Sequence, residues 1–336
     1  MISVIMSVFN TAKYVGEAIE SVLKQTYTNF EFIIVDDAST DNSLEIIRKY
    51  ESQDPRVIVI TNEVNLGISK SRNRGLAIAR GEYIANMDSD DINMVDRFEL
   101  QLKCFESNPE TLVLGGKHEL IDSEGNDNQN TWSLPSIVYR WDTLTTKVAV
   151  THGCMTTRTD YLREIGGYPE GLENAIDRAL FQKMALAPEF CMRNLDDVIY
   201  TIRIHRESTS KKKTNLQLEN SRRVRKQAIE DILGRTIPED EFVAIFEKEP
   251  GYVSPELSRR AITMYVVFYK KYLKRFRPST EEREHARKIL VRQAFGLARK
   301  YPQQNSVNFV RLFTIDPKFF INRLLGKFRL PARAIF

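Results

Sequence analysis

The segment Asp88-Ser89-Asp90-Asp91 places three carboxylates within four residues. Carboxylates this close repel one another and raise one another's proton affinity, which folding alone gives no reason to accept. Mg²⁺ or Mn²⁺ gives a reason, because these hard cations bind one or two carboxylates together with substrate phosphates. The structural alternative is a solvated turn in which Asp91 caps a following helix.

Three further segments carry groups suited to binding a nucleotide. Asp36 and Asp37 either cap a helix or accept hydrogen bonds from a base N–H or a ribose hydroxyl. Phe9 belongs to the core or presents its ring to a nucleobase. The stretch Asn65–Gly75, with Lys70 and Arg72, forms an exposed basic helix face or compensates nearby carboxylates and phosphates. For each of these segments, the residue types alone do not decide between the structural and the nucleotide-binding alternative.

Short apolar runs and helical patterns alternate over the first hundred residues. The strands are predicted at Ile2–Val8, Phe32–Val35, Val57–Ile60 and Tyr83–Ala85, and the helices at Tyr14–Leu23, Leu44–Tyr50 and Ile68–Ala79. This order predicts a mostly parallel sheet flanked by helices, an α/β fold. Ligands of such sheets bind beyond the carboxyl ends of the strands, where all the polar clusters fall. A dinucleotide-binding fold is disfavoured, because no GxGxxG follows the first strand.

The middle of the chain mixes predicted strands and helices, whereas the part after residue 207 is predicted to be almost entirely helical. Strands are predicted at 112–116, 150–157 and 198–204, a polar turn at Asp122–Asn130, and helices at 159–164, 176–187, 215–233, 239–247, 255–277 and 281–300. The pattern divides the chain into a sheet domain over residues 1–210 and a helical region over residues 211–336.

Composition excludes several classes of protein. The 336 residues are 42% hydrophobic and 28% charged, as in an ordinary globular protein. No apolar run approaches the roughly 20 residues of a membrane-spanning helix, and the N-terminus lacks the features of a secretory signal. Three widely spaced cysteines predict free thiols in a reducing cytoplasm and no zinc site.

Charge is distributed unevenly along the chain. Residues 1–205 hold 20 Lys and Arg against 31 Asp and Glu, a net of −11, whereas residues 206–336 hold 29 against 14, a net of +15. The basic half is therefore expected to meet an anionic partner. Arg311–Phe336 interleaves six basic residues with Phe and Leu, which favours the surface of an anionic membrane. The alternatives are a solvated helical cap or nucleic acid, and no nucleic-acid reader motif supports the latter.

With these segments assembled, the first 210 residues resemble family 2 glycosyltransferases of the GT-A fold, of the bacterial polysaccharide type. Ser7 and Ala38 stand where Pro and Gly are frequent in that family. The ordered motifs are Val4–Asn10, Ser21–Tyr27, Val35–Asp41, Asn65–Gly75, Ala79–Ile84, Asp88–Asp91 and Arg203–Ser208.

The resemblance implies a nucleotide-diphosphate sugar as donor, most often a uridine one, and a divalent metal, Mn²⁺ or Mg²⁺. It implies that Phe9 packs on the base and that Asp37 contacts it. The other implied donor and metal residues are Ser7 and Asp36 near the base, Lys70 and Arg72 supporting the pocket, Asp88 at the ribose or metal, Asp90 as main metal ligand and His205 at the metal or diphosphate.

The family's catalytic base follows a Gly-Gly-Tyr segment, here Gly166-Gly167-Tyr168, and the matching acid is Asp177. Ile176 and Ala179 replace acids that are common in the family, and Glu173 is the second candidate for the base. The implied reaction is an inverting transfer of a sugar to a hydroxyl of a glycan or lipid-linked glycan in surface polysaccharide synthesis. It is expected on the inner face of the cell membrane. A nucleotidyltransferase and a catalytically silent glycan-binding protein stay open as alternatives.

Overall fold

The structure is a computed structural model that describes residues 1–145, 150–205, 215–247, 253–303 and 305–324. These residues form two compact units. Of the described residues, those within 1–139 and 147–222 form the first unit, and those within 140–146 and 223–336 form the second.

The first unit is built on one mixed sheet, which confirms the predicted mostly parallel α/β fold. Its strands are β1 (Ile2–Val8), β2 (Phe30–Asp36), β3 (Val57–Thr61), β4 (Tyr83–Asp88), β5 (Ile92–Asn93), β6 (Val113–Ile121), β7 (Asp127–Trp132), β8 (Ile137–Val138), β9 (Thr156–Arg158) and β10 (Met192–Arg203). Their order is β3-β2-β1-β4-β9-β6-β10-β5, with β7 paired to β6 and β8 paired to β10. The first four strands of that order run parallel, as do β6 and β10.

Helices cover the sheet and continue into the second unit. They are α1 (Val15–Leu23), α2 (Ser43–Gln53), α3 (Ile68–Ile78), α4 (Arg97–Ser107), α5 (Arg140–Thr145), α6 (Thr159–Glu164), α7 (Ile176–Leu186), α8 (Asn215–Leu233), α9 (Glu239–Phe246), α10 (Pro255–Phe276), α11 (Thr280–Ala298), α12 (Ser306–Ile315) and α13 (Pro317–Leu324). The helices predicted at the corresponding positions are confirmed.

Both faces of the central strands are buried, which is why they read as continuous apolar runs rather than alternating ones. In β2, Phe32 and Ile34 belong to one apolar layer, whereas Ile33 and Val35 belong to the layer on the opposite face. Burial on both faces holds β1, β2 and β4 in register, so their carboxyl ends meet at one edge.

The structure differs from the sequence analysis at three places. Residues 150–157 do not form one strand: a 3₁₀ turn covers His152–Cys154, and only Thr156–Arg158 form a strand, antiparallel to β4 and β6. The predicted turn Asp122–Asn130 contains the start of β7. The helix cap that was the structural alternative for Asp91 does not form, because the short strand β5 follows this residue.

The second unit is organised around one tryptophan. Trp141 of α5 is fully buried. Four α10 rings lie with their centroids within 5.0–5.7 Å of it, those of Tyr265, Phe268, Tyr269 and Tyr272. Their spacing of three, four and seven residues places all four on one helix face.

Among the residues described, no helix combines the length and apolar character needed to cross a membrane. Phe328, Leu330, Ile335 and Phe336 of the basic tail lie outside the described residues, as does the polar run 208–214.

Candidate functional site

The polar clusters predicted at the strand ends do lie side by side. Val8 of β1 pairs with Asp36 of β2, and Ser7 of β1 pairs with Asp88 of β4. The carboxyl ends of three parallel strands therefore present their polar groups along one edge, the position at which such sheets bind ligands.

Asp88 is held by a buried cation. The Arg72 guanidinium of α3 is 1% exposed and donates to the Asp88 carboxylate, one third of which is exposed. The Asp88 backbone N–H donates to the Tyr200 hydroxyl at 3.1 Å. A Cβ at Gly153 would lie 2.8 Å from Asp88 Oδ2 and 2.7 Å from the Tyr200 hydroxyl, so only glycine fits beside this carboxylate.

Arg72 is itself oriented by a buried polar network. Its Nη1 lies 2.9 and 2.8 Å from the two ring nitrogens of His152, and its guanidinium sits 5.5 Å from the Tyr168 ring centroid. The Tyr168 hydroxyl donates to Asn86 Oδ1 at 2.6 Å, and Asn86 Nδ2 donates to the His152 carbonyl at 3.1 Å. Burial, with a smaller contribution from Arg72, lowers the pKa of His152 to about 3, so its ring is neutral and accepts from Arg72.

The chain after β10 reaches back to the loop after β4. His205 Nε2 lies 2.8 Å from Asp90 Oδ2. The Arg203 backbone N–H donates to Asp91 Oδ1 at 2.8 Å, and Arg203 Nε donates to the Asp90 carbonyl at 3.1 Å. These bonds bring together the two residues predicted at the metal, Asp90 and His205, although 115 positions separate them.

The acidic loop is electrostatically crowded. Burial, then the charge of Asp88, raises the pKa of Asp90. Burial, then the charges of Asp90 and Asp88, raises the pKa of Asp91 well above its usual range. Repulsion among these carboxylates comes after burial as a cause of each shift, and a cation at this edge would relieve it.

The donor atoms fit a hard divalent cation, although the described residues contain no converged group of three His, Cys, Asp or Glu side chains that could hold a metal. Carboxylate oxygens and an imidazole nitrogen are ligands that Mn²⁺ accepts, and carboxylates suit Mg²⁺. The crowded carboxylates of Asp88 and Asp90, with His205 beside Asp90, therefore match such an ion in chemistry.

The predicted base-binding residues lie at the ends of β1 and β2. Phe9 is 46% exposed, so it is not a core residue. Asp36 is buried; its Oδ2 accepts from the Ser39 N–H at 3.2 Å, and its Oδ1 has no hydrogen-bond partner among the described residues. Ser7 is half-buried and Lys70 is exposed.

Asp37 holds the loop that precedes α3. Its Oδ1 accepts from Asn62 Nδ2 at 2.6 Å and from the Leu66 N–H at 2.8 Å, and its Oδ2 accepts from the Gly67 N–H at 2.9 Å. A carboxylate offers about four acceptor positions, and these three bonds use most of them.

Asp177 is the second residue of α7 and is half-buried. No partner for its carboxylate is found in the described ranges. Ala175, which precedes the helix, adopts the left-handed conformation at φ 57°, and Glu173 is exposed. The assignment of the base to Asp177 stays a prediction.

Sequence reasoning missed Asn86, His152 and Tyr200 as members of the site. Asn86 lies inside a buried strand, and the other two come from segments far along the chain. Their polar side chains in otherwise apolar surroundings were the only available signal.

The fold is the GT-A fold of known sugar-transfer proteins. The structure of S. aureus TarS residues 1–349 in complex with UDP-GlcNAc matches with a TM-score of 0.58 and 22% identity, over 90% of this chain and 91% of that one. A mannosyltransferase from Pyrobaculum calidifontis in complex with GDP-Man and Mn²⁺ matches with a TM-score of 0.51 and 15% identity, over 97% and 88%.

The sequence model of glycosyl transferase family 2 matches residues 3–166, which identifies this segment as a domain of that family. Chondroitin synthase from Escherichia coli is 33% identical over 221 residues, which are 66% of this chain and 31% of that relative. The chain thus spans less than a third of the length of this curated relative.

The buried neutral His152 predicts a pH dependence of stability. Its pKa lies near 3 in the folded protein and near 6.5 when exposed, so the unfolded chain binds more protons as the pH falls between these values. Lowering the pH from 7 to 5 should therefore cost about 2 kcal/mol through this residue. Urea denaturation at both pH values should show a smaller loss for His152→Gln than for the wild type; equal losses would contradict the buried neutral ring.

Proposed function

We propose that this protein is an inverting glycosyltransferase that moves a sugar from a nucleotide-diphosphate donor, a UDP-sugar, to a hydroxyl of a glycan or lipid-linked glycan in surface polysaccharide synthesis. The observation that carries the proposal is the meeting of Asp88, Asp90 and His205 at the carboxyl edge of the sheet. Family membership supports the reaction class, and the UDP-GlcNAc complex of TarS supports the donor class.

The donor is proposed to lie along the edge from β1 to β4. Phe9 would pack on the base, since its ring is exposed, while Asp37 and the unpartnered Oδ1 of Asp36 would accept hydrogen bonds from the nucleoside. Ser7 would lie beside them. Arg72 and Lys70 would compensate the negative charge of carboxylates and diphosphate.

Asp90 and His205 would hold Mn²⁺ or Mg²⁺, with Asp88 at the ribose or the metal. When bound, the metal neutralises charge on the diphosphate. The Mn²⁺ in the P. calidifontis complex supports a divalent cation in this fold.

The proposed chemistry is a single in-line displacement. Asp177 takes the proton of the acceptor hydroxyl, and the hydroxyl oxygen attacks the anomeric carbon from the face opposite the nucleotide. The new carbon–oxygen bond forms as the bond to the diphosphate breaks, and the nucleoside diphosphate leaves with that electron pair. The Asp177 carboxylate suits this role because it is half-buried and has no partner in the part of the chain that the structure describes.

Removing the base tests this mechanism. Asp177→Asn should lower kcat for UDP release from UDP-GlcNAc or another accepted UDP-sugar by about 10²- to 10⁴-fold and leave the Kd for UDP nearly unchanged. Glu173→Gln is the matched control and should keep its activity. Full turnover by Asp177→Asn, or loss of turnover in Glu173→Gln instead, would place the base elsewhere.

Removing the proposed metal ligand tests the cation. Asp90→Ala should abolish the gain in UDP affinity that Mn²⁺ confers on the wild type, because the main carboxylate donor is lost. Isothermal titration with UDP in the presence and absence of Mn²⁺ measures this gain, with Asp160→Ala of α6 as control. An unchanged Mn²⁺-dependent gain in Asp90→Ala would reject this ligand.

We also propose that the basic second half attaches to the cytoplasmic surface of an anionic membrane. Val307, Val310 and Phe313 of α12 and Ile321 of α13 are exposed apolar side chains. Arg311 and Lys318 are exposed on the same helices, whereas the acid Asp316 is buried. Exposed apolar residues beside cations suit an interface of acyl chains and anionic headgroups.

Charges placed on this apolar face should weaken the attachment. The full chain carrying Val310→Asp and Phe313→Asp should bind vesicles of phosphatidylglycerol and phosphatidylcholine at least about tenfold more weakly, because burying each apolar side chain contributes about 1.5–3 kcal/mol. Val95→Asp, which changes an exposed valine of the first unit, is the control in co-sedimentation. Undiminished binding by the double variant would contradict the proposed face.

A further inference from the structure

The chain has two tryptophans in opposite environments. Trp141 is fully buried in the second unit, whereas Trp132, the last residue of β7, is 57% exposed. A large, rigid aromatic side chain left in water forgoes the free energy of burial, and tryptophan is enriched at binding surfaces relative to the rest of a protein's surface.

The Trp132 ring is held in a defined orientation. It stacks on the His118 ring of β6 with a centroid separation of 6.5 Å and an interplanar angle of 2°. His118 is nearly buried, and its Nδ1 lies 3.1 Å from Thr151 Oγ1. Burial lowers the pKa of His118, which favours the neutral ring beside the tryptophan. The pair therefore forms a preorganised aromatic surface, called here the Trp132 platform (Trp132 and His118).

Strand pairing links the Trp132 platform to the acidic edge, which is the carboxyl end of β4 with Asp88. Tyr200 of β10 pairs with His118, and His118 pairs with Trp132, so the three residues form a row across neighbouring strands. Two strand spacings place the Tyr200 and Trp132 backbones about 10 Å apart. Tyr200 bonds to the Asp88 backbone at one end of this row.

The loop before β9 makes a second connection. Thr151 contacts His118, and two residues later Gly153 packs against Asp88 and Tyr200. The Trp132 platform and the acidic edge are thus joined both through the sheet and through one short stretch of chain.

The Trp132 platform lies on the side of Asp88 away from the proposed base site. In the sheet, β4 with Asp88 lies between β1, which ends just before Phe9, and β6, which carries His118. A nucleotide that extends from Phe9 to Asp88 does not cover the surface near Trp132, which is then available to the acceptor.

We propose that the Trp132 platform binds a pyranose ring of the acceptor glycan. The flat indole offers its face to the apolar C–H face of a sugar, and its ring N–H and the neighbouring strand carry polar groups for the hydroxyls. This inference rests on the proposed function, because it assigns the acceptor of that reaction to a carbohydrate and to this side of the sheet.

Binding of glycans by the full chain tests the inference. An array of mono- to hexasaccharides containing hexoses, hexosamines and uronic acids is probed in the presence of UDP and Mn²⁺. The wild type should bind a subset, Trp132→Ala should bind that subset at least about tenfold more weakly, and Trp132→Phe should retain most of the binding. Ile137→Ala, which changes an exposed residue of β8, is the control.

Intrinsic fluorescence separates local contact from an indirect effect. A glycan identified on the array, when added to the wild type in solution, should change the tryptophan fluorescence because it contacts Trp132. In Trp132→Phe only the buried Trp141 remains, and the change should disappear. An emission change that persists in Trp132→Phe would contradict direct contact.

Hydrolysis of the donor distinguishes failure of this inference from failure of the proposed function. UDP release without an acceptor should be the same in Trp132→Ala and the wild type, since the donor lies on the other side of Asp88. If the wild type hydrolyses a UDP-sugar but binds no glycan, or if Trp132→Ala binds glycans as well as the wild type, the Trp132 platform is not an acceptor site. If the wild type hydrolyses no UDP-sugar, the proposed function itself is wrong.

Discussion

The candidate site depends on the mutual repulsion of the carboxylates that follow β4 and on the groups that hold them in place. Arg72 bonds to Asp88, His205 bonds to Asp90, and the Arg203 backbone bonds to Asp91. Burial and proximity raise the pKa of both Asp90 and Asp91, so these bonds act against a real electrostatic cost. Each of the three carboxylates is thus bonded to a group from another part of the chain.

The sequence predicts those features of this arrangement that depend on short segments of the chain. Apolar runs followed by polar clusters locate β1, β2 and β4, and parallel pairing then requires their carboxyl ends to meet. Asp36 and Asp88 could be placed at one edge in this way. The resemblance to family 2 glycosyltransferases added His205, whose bond to Asp90 no local pattern indicates.

The rest could not be predicted because it arises from tertiary contacts. His152 occupies a 3₁₀ turn where the residues suggested a strand, and its role comes from Arg72, eighty positions earlier. The helix α5 is only six residues long, too short for a helical period to be recognised, and its Trp141 is explained only by the rings of α10. Trp132 likewise lies beside His118 only because β7 pairs with β6, which no local pattern predicts.

The return of the chain from β10 to the loop after β4 has a consequence for how the protein acquires its site. The strands β1 to β4 are complete within the first 88 residues, yet the bonds to Asp90 and Asp91 come from residues 203 and 205. Contacts of such large sequence separation form late, because the entropy of closing the intervening loop must be overcome first. During synthesis, the acidic loop therefore emerges from the ribosome more than a hundred residues before its partners, and an early fragment would carry the edge of the sheet without the bonds that hold Asp90 and Asp91.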